Sequence, residues 1–174
     1  KCSILGKQDI VVGDFVNLEY QNDNDAKSAL IISRSDRSSE LTKKEIRGLK
    51  VIAANISHVG ILLVQNPTTS CEFIDKWIAS SKASNIEPFI INNKIDVAMS
   101  DEYLEKVSLY KNIGIKIFNI SAKENIGLKD LIGYLKNKCT IFVGNSGAGK
   151  STLTSMLTGI NIKTKDLSNN QGRH

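Results

Sequence analysis

The sequence contains no run of about 18 apolar residues, the length that a helix needs to cross a bilayer, so a helical transmembrane segment is excluded. Cysteine is scarce. Cys2, Cys71 and Cys139 lie far apart without a C-x-x-C pair, which excludes a metal site made by cysteines alone and argues against a disulfide framework. Isolated cysteines of this kind are typical of small apolar fillers in a reducing compartment. We therefore expect a cytoplasmic protein with no membrane partner.

No secretory signal is visible, but the chain begins at Lys1 and not at an initiator methionine. We interpret the sequence as trimmed, so the missing signal excludes little. The 174 residues, 41% of them hydrophobic, suffice for one full α/β domain and a small second one. The formal net charge of +5 weakly favours an anionic partner such as RNA.

The first 50 residues have short β-prone runs separated by turns. One run surrounds a turn at Gly13 and Asp14, and another spans residues 29–33. Short strands joined by turns predict a small all-β barrel, here without its first strand. We interpret the polar, largely basic residues 34–47 as a connector.

From residue 51 the pattern changes to alternating strands and helices. We predict strands over 51–56, 59–64, 86–91, 115–120 and 139–143, and helices over 70–81, 101–111, 128–136 and 150–157. This alternation is typical of an α/β fold with a parallel sheet that has helices on both faces.

A phosphate-binding loop follows the last predicted strand. Residues 144–151 fit G-x-x-x-x-G-K-[ST] at every fixed position, and a helix follows them. Glycines let the backbone wrap around a phosphate, and the helix N-terminus adds positive potential. We expect Lys150 to reach the β- and γ-phosphates, Ser151 to hold Mg²⁺, and Thr152 to lie near the α-phosphate. The nucleotide-binding candidates here are Gly144, Asn145, Ser146, Gly147, Ala148, Gly149, Lys150, Ser151 and Thr152.

Two further motifs indicate which base is bound. Asn93, Lys94 and Asp96 fit N-K-x-D after one predicted strand, and Ser121, Ala122 and Lys123 follow the next. A carboxylate at position 96 can accept from guanine N1–H and the exocyclic amine, whereas adenine N1 is an acceptor and would leave the carboxylate unpaired. A backbone N–H of the S-A-K element would meet the guanine carbonyl. Both elements end predicted strands, where α/β sheets bind ligands.

The base motifs precede the phosphate loop, the reverse of the order in ordinary small GTPases. With a small β-barrel in front, this order resembles the RsgA family, circularly permuted GTPases that assist late maturation of the bacterial small ribosomal subunit. Further segments are similar to family motifs: Val12-Gly13-Asp14-Phe15-Val16 to a strand of its OB-fold domain, Val51-Ile52-Ala53-Ala54-Asn55-Ile56 to its domain junction, and Gly172-Arg173-His174 to the start of its G-x-H-T-T switch segment.

The resemblance implies an OB-fold domain with a basic linker over 1–50, incomplete at its N-terminus, and a P-loop GTPase domain over 51–174, incomplete at its C-terminus. It also implies that the protein binds GTP or GDP together with Mg²⁺, and that its GTPase activity is stimulated by the ribosomal particle. In the family, the histidine matching His174 is a candidate catalytic residue. We also expect Lys150 to stabilise charge during hydrolysis. The partners implied are the small ribosomal subunit and 16S rRNA. We expect a monomer that binds no DNA.

The sequence departs from the family in several places. Ser57 stands where the family usually has Asp, and Ala148 where it often has Val. By the resemblance, we expect the switch threonines, the D-x-x-G motif and the zinc-binding domain to lie beyond this sequence. Zinc is expected only there, and we expect this chain to hydrolyse GTP poorly. Asp130 to Gly133 fits D-x-x-G by coincidence, because no strand precedes it.

Two alternatives stay open. In the first, the chain is a P-loop ATPase or kinase and residues 93–96 are an ordinary loop; loss of guanine preference in Asp96→Asn would argue against it. In the second, the chain is a non-enzymatic RNA-binding OB module in which nucleotide only stabilises the fold. Ribosome association that ignores nucleotide would favour that module.

Overall fold

The computed structural model describes residues 2–4, 9–23, 26–46 and 48–159. The strands are β1 (Cys2–Ile4), β2 (Val16–Asp23), β3 (Ala26–Arg34), β4 (Glu40–Glu45), β5 (Gly48–Ala54), β6 (His58–Leu63), β7 (Glu87–Asn93), β8 (Lys116–Ile120) and β9 (Thr140–Val143). The helices are α1 (Cys71–Ala83), α2 (Asp101–Asn112), α3 (Leu128–Leu135) and α4 (Lys150–Thr158). None of these helices is long and apolar enough to span a bilayer.

Four strands form a parallel sheet in the order β8-β7-β6-β9. Parallel strands with helices on both faces are buried on both sides, which explains why β6 and β7 read as nearly continuous apolar runs. The predicted α/β fold is confirmed, and the predicted strands and helices of this part lie within one or two residues of the observed ones.

The two faces of the sheet carry separate cores. On one face Ile61 and Leu63 of β6 pack with Ile74 of α1 and Tyr110 of α2. On the other face, the intervening Leu62 packs with residues of α3 and α4. Successive side chains of a strand point to opposite faces, so β6 anchors both cores. Complete burial of one such side chain contributes about 1.5–3 kcal/mol.

The strands that precede this sheet form smaller units. β1, β3 and β2 make a three-stranded sheet, and β4 pairs antiparallel with β5. Residues 40–45, which the sequence analysis placed in a connector, therefore form β4, and residues 51–54 lie in β5, outside the parallel sheet. Leu41 is fully buried in the same core cluster as Ile74 of α1, and this burial favours strand β4 over an exposed connector. The proposed division into domains at residue 50 stays a prediction.

A buried ion pair joins the turn before β2 to the segment before β4. Arg37 Nε lies 2.7 Å from Asp14 Oδ1, and a second guanidinium nitrogen donates to Oδ2 at 2.8 Å. The Asp14 and Arg37 side chains are 0% and 7% exposed. The Arg37 hydrogen bond lowers the pKa of Asp14 to about 2, although burial alone would raise it. The pair fixes this turn beside β5, where Asn55 Nδ2 donates to the Gly13 carbonyl at 2.9 Å.

Candidate nucleotide-binding site

Four loops meet at one edge of the parallel sheet, because the carboxyl ends of parallel strands lie together. Residues 64–70 follow β6, 94–100 follow β7, 121–127 follow β8 and 144–149 follow β9. Ligands of open α/β sheets bind at this edge. The structure therefore brings the predicted base motifs and the predicted phosphate loop to the same place, although they are separated in the chain.

The phosphate loop turns sharply into α4. Gly147 and Gly149 adopt positive φ values of 79° and 94°, a conformation that favours glycine. Gly149 is the N-cap of α4 and supplies no side-chain hydrogen bond, so no cap competes for the first amides of the helix. Free amides and the helix dipole make such a terminus suitable for an anion. Ser151 is half-buried in the first turn, and Thr152 is exposed.

The side chain of Lys150 folds back and contacts the backbone of the phosphate loop. Its Nζ donates to the carbonyls of Gly144 at 2.7 Å and Asn145 at 2.9 Å. Burial lowers the pKa of Lys150 from its ordinary value. Two neutral carbonyls are weaker partners for an ammonium than the charged oxygens that a phosphate would offer.

Asn93 connects the three motifs. Its side chain is buried at the end of β7, and Nδ2 donates to the Ala148 carbonyl at 2.9 Å. Its Oδ1 accepts from the Ala122 N–H at 3.0 Å. One side chain thus ties the N-K-x-D loop to both the phosphate loop and the S-A-K loop. Because Asn93 already uses the Ala122 N–H, a base carbonyl at this loop would have to share that donor.

Asp96 extends from the same loop into solvent. The Ser121 hydroxyl is the main cause that lowers the pKa of Asp96, with smaller contributions from the positive charges of Lys123 and Lys94. Ser121 itself is fully buried, and its Oγ accepts from the Glu124 N–H at 3.1 Å. The carboxylate is therefore ionised at neutral pH and able to accept two hydrogen bonds.

Sequence reasoning missed two neighbours of these motifs. The first is the segment Gln65 to Thr69 after β6, which contacts Lys94 and Asn145. This segment could have been predicted as part of the site, because it follows a strand of the same parallel sheet. The second is a buried chain of hydrogen bonds in which Tyr103 Oη donates to Asn92 Oδ1 at 2.6 Å and Asn92 Nδ2 donates to Asn119 Oδ1 at 2.8 Å.

Some predicted residues lie elsewhere. His174, with Gly172 and Arg173 before it, falls outside the described residues. Asp130 and Gly133 lie within α3. No group of three or more His, Cys, Asp or Glu side chains in the described part of the chain could hold a metal ion. Zinc and the roles of the individual site residues stay predictions.

A parallel sheet with its phosphate loop on the last described strand and its base motifs on earlier ones defines a circularly permuted P-loop GTPase fold. The family model described as RsgA GTPase matches residues 34–174. The chain belongs to the RsgA GTPase family.

Individual proteins are similar over most of the chain. The small ribosomal subunit biogenesis GTPase RsgA of Flavobacterium psychrophilum is 34% identical over 193 residues, covering 100% of this chain and 59% of its own. The crystal structure of YjeQ from Thermotoga maritima has a TM-score of 0.68 at 29% identity, covering 90% of this chain and 56% of its own. YloQ, described as a circularly permuted GTPase, has a TM-score of 0.63 at 27% identity, covering 91% of this chain and 55% of its own. The chain thus spans somewhat more than half the length of these relatives.

Proposed function

We propose that this chain binds GTP and GDP and hydrolyses GTP. The observation that carries the proposal is the pair of hydrogen bonds from Asn93 to Ala148 and Ala122, because it links a guanine-selecting loop to a phosphate loop in one rigid unit. Membership of the RsgA GTPase family supports the same conclusion.

Base selection falls to Asp96. Its ionised carboxylate accepts from guanine N1–H and the exocyclic amine, and adenine cannot supply this pair of donors. The Lys94 stem would lie against the face of the base, while its Nζ is held by the Asn66 carbonyl at 2.9 Å. The Ser121 hydroxyl lowers the pKa of Asp96 and so further favours its charged form. GTP is therefore favoured over ATP.

The triphosphate would occupy the loop of residues 144–149 and the N-terminus of α4. Lys150 would exchange its loop carbonyls for phosphate oxygens, and the amides that follow Gly149 would donate to them. The Ser151 hydroxyl lies in the first helical turn, where it fits a Mg²⁺ that also contacts the phosphates, and the ion would supply charge neutralisation on the phosphoryl oxygens. Hydrolysis proceeds by in-line attack of water, with His174 as the candidate for positioning that water.

The cellular task we propose is late maturation of the small ribosomal subunit, with 16S rRNA as a contact, in the cytoplasm. The name of the Flavobacterium psychrophilum relative supports a role with the small ribosomal subunit. The net charge of +5 suits an RNA partner. Hydrolysis would be slow in isolation and stimulated by the particle, and would switch the affinity of the protein for it.

Pelleting with purified small subunits tests both parts of the proposal. Wild-type protein should associate differently with GDP and with a non-hydrolysable GTP analogue, and Lys150→Ala should lose that difference together with GTP hydrolysis. Lys111→Ala, an exposed lysine in the last turn of α2, is the matched control and should behave as wild type. Association of wild-type protein that ignores nucleotide would favour the non-enzymatic RNA-binding module, and equal hydrolysis of ATP would favour the ATPase.

A further inference from the structure

The loop between β6 and α1 contacts both of the loops that would hold a nucleotide. The carbonyl of Asn66 accepts from Lys94 Nζ at 2.9 Å, and the carbonyl of Thr68 accepts from Asn145 Nδ2 at 3.4 Å. The loop is itself held in place, because Thr69 is fully buried and exchanges two hydrogen bonds of 3.2 Å with the backbone of Val64. It is therefore a fixed support beside the site.

Gln65 holds the far end of the base-selecting loop. Its side-chain Oε1 accepts from the Ser100 N–H at 2.8 Å, and Ser100 is the N-cap of α2. Asn66 holds the near end at Lys94, so Asp96 lies in a short segment whose two ends are tied to adjacent residues of one loop. Within that segment the Val97 N–H donates to the Lys94 carbonyl at 3.2 Å, which closes it into a turn.

A small cavity lies between this support and α2. Its volume is about 170 Å³, and Gln65, Lys94, Met99 and Tyr103 are among its lining residues. Gln65 therefore both caps the Ser100 amide and forms part of the wall next to Lys94. Removing its side chain would enlarge the cavity and free the turn that carries Asp96.

We propose that Gln65 is a positioning residue for guanine recognition, which holds residues 94–100 so that the Asp96 carboxylate meets both donors of the base. This inference rests on the proposed function, since it needs guanine to bind at Asp96. Asp96 is exposed, and the Ser121 hydroxyl is its main side-chain partner. The position of its carboxylate therefore also depends on the backbone of this turn. Gln65 would act through that backbone, by its hydrogen bond to the Ser100 N–H, and not by contact with the base or the phosphates.

Comparing GDP with IDP, which lacks the exocyclic amine, separates positioning from general stability. In the full chain, Gln65→Ala should weaken GDP binding about three- to ten-fold, the effect of one hydrogen bond. IDP binding should weaken by a smaller factor, because hypoxanthine presents only one of the two donors that Asp96 accepts from. Gln65→Glu keeps an acceptor at the start of α2 and should restore the GDP to IDP ratio. Asn112→Ala, an exposed residue at the end of α2, is the control. Titration calorimetry gives each dissociation constant.

A double-mutant cycle with Asp96→Asn completes the test. If Gln65 acts through Asp96, Gln65→Ala should have no effect on GDP binding once Asp96 has been replaced. If Gln65→Ala weakened the binding of GDP and IDP by the same factor, or weakened neither, the inference would be overturned while the proposed function stayed intact. Wild-type protein that binds ADP as tightly as GDP would overturn both.

Discussion

The side-chain nitrogen of Asn93 occupies the space that a Cβ atom at Gly149 would need. The N-K-x-D loop and the phosphate loop are thus packed so closely that a side chain at position 149 would collide with Asn93. The φ of 94° at Gly149 adds a second constraint, because residues with a Cβ rarely adopt it. Local backbone geometry and contact with a distant motif therefore demand the same residue.

Gly149→Ala should be destabilising, since the methyl group must displace Asn93 while the backbone keeps a strained conformation. The expected loss in the free energy of unfolding is about 1–3 kcal/mol. Gly133→Ala is the matched control, because Gly133 lies inside α3 with open space around it and alanine should stabilise that helix by about 0.5–1 kcal/mol. Urea unfolding of both variants checks this, and equal stabilities would contradict the close packing at Gly149.

Asn93→Ala should affect stability and nucleotide binding together. It leaves the Ala122 N–H and the Ala148 carbonyl without their partner in a buried place, at an expected cost of about 1–3 kcal/mol in the free energy of unfolding. Both loops should loosen, so GDP affinity should fall as well. Urea unfolding and GDP titration measure the two effects, with Asn112→Ala as control. A variant that is destabilised but binds GDP normally would show that the bridge is structural only.

The Asp14–Arg37 ion pair predicts a dependence of stability on pH. The pKa of Asp14 is about 2 in the folded chain, below its ordinary value of 3.8, so the folded state binds the proton less readily than the unfolded state. Its contribution is therefore complete above the ordinary value and is lost as the pH falls towards 2. Asp14→Asn should be less stable than wild type at neutral pH, and this difference should shrink in acid. Urea unfolding from about pH 5 to about pH 2 tests it; a difference that stays constant would rule out the ion pair as its source.

Much of the site could be predicted from the sequence because its chemistry resides in side chains at fixed spacing. The motifs around Asn93, Ser121 and Lys150 each follow an apolar strand, and the observed strands end where these motifs begin. Parallel strands then bring the motifs together without further information. Because the base motifs precede the phosphate loop in the chain, the sequence also predicted the circularly permuted fold.

The contacts of the loop after β6, and strand β4, could not be predicted from the sequence, for physical reasons. The support at Asn66 and Thr68 acts through main-chain carbonyls, which every residue has. The role of Gln65 depends on a partner 35 residues away. Strand β4 has Leu41 as its fully buried apolar residue among polar neighbours, so it shows no alternation. Such features depend on tertiary contacts that no local pattern encodes.

Under the proposed function, Asp96 selects guanine for a nucleotide whose phosphates lie at Lys150. The most direct measurement compares the dissociation constants of GDP, ADP and XDP for wild-type protein and Asp96→Asn. Wild type should prefer GDP over ADP by about 100-fold or more, because the wrong base leaves a charged acceptor unpaired. Asp96→Asn should lose GDP affinity and gain XDP affinity, since its amide can donate to the xanthine carbonyl. Equal binding of GDP and ADP by wild type, or an unchanged preference in Asp96→Asn, would contradict the account.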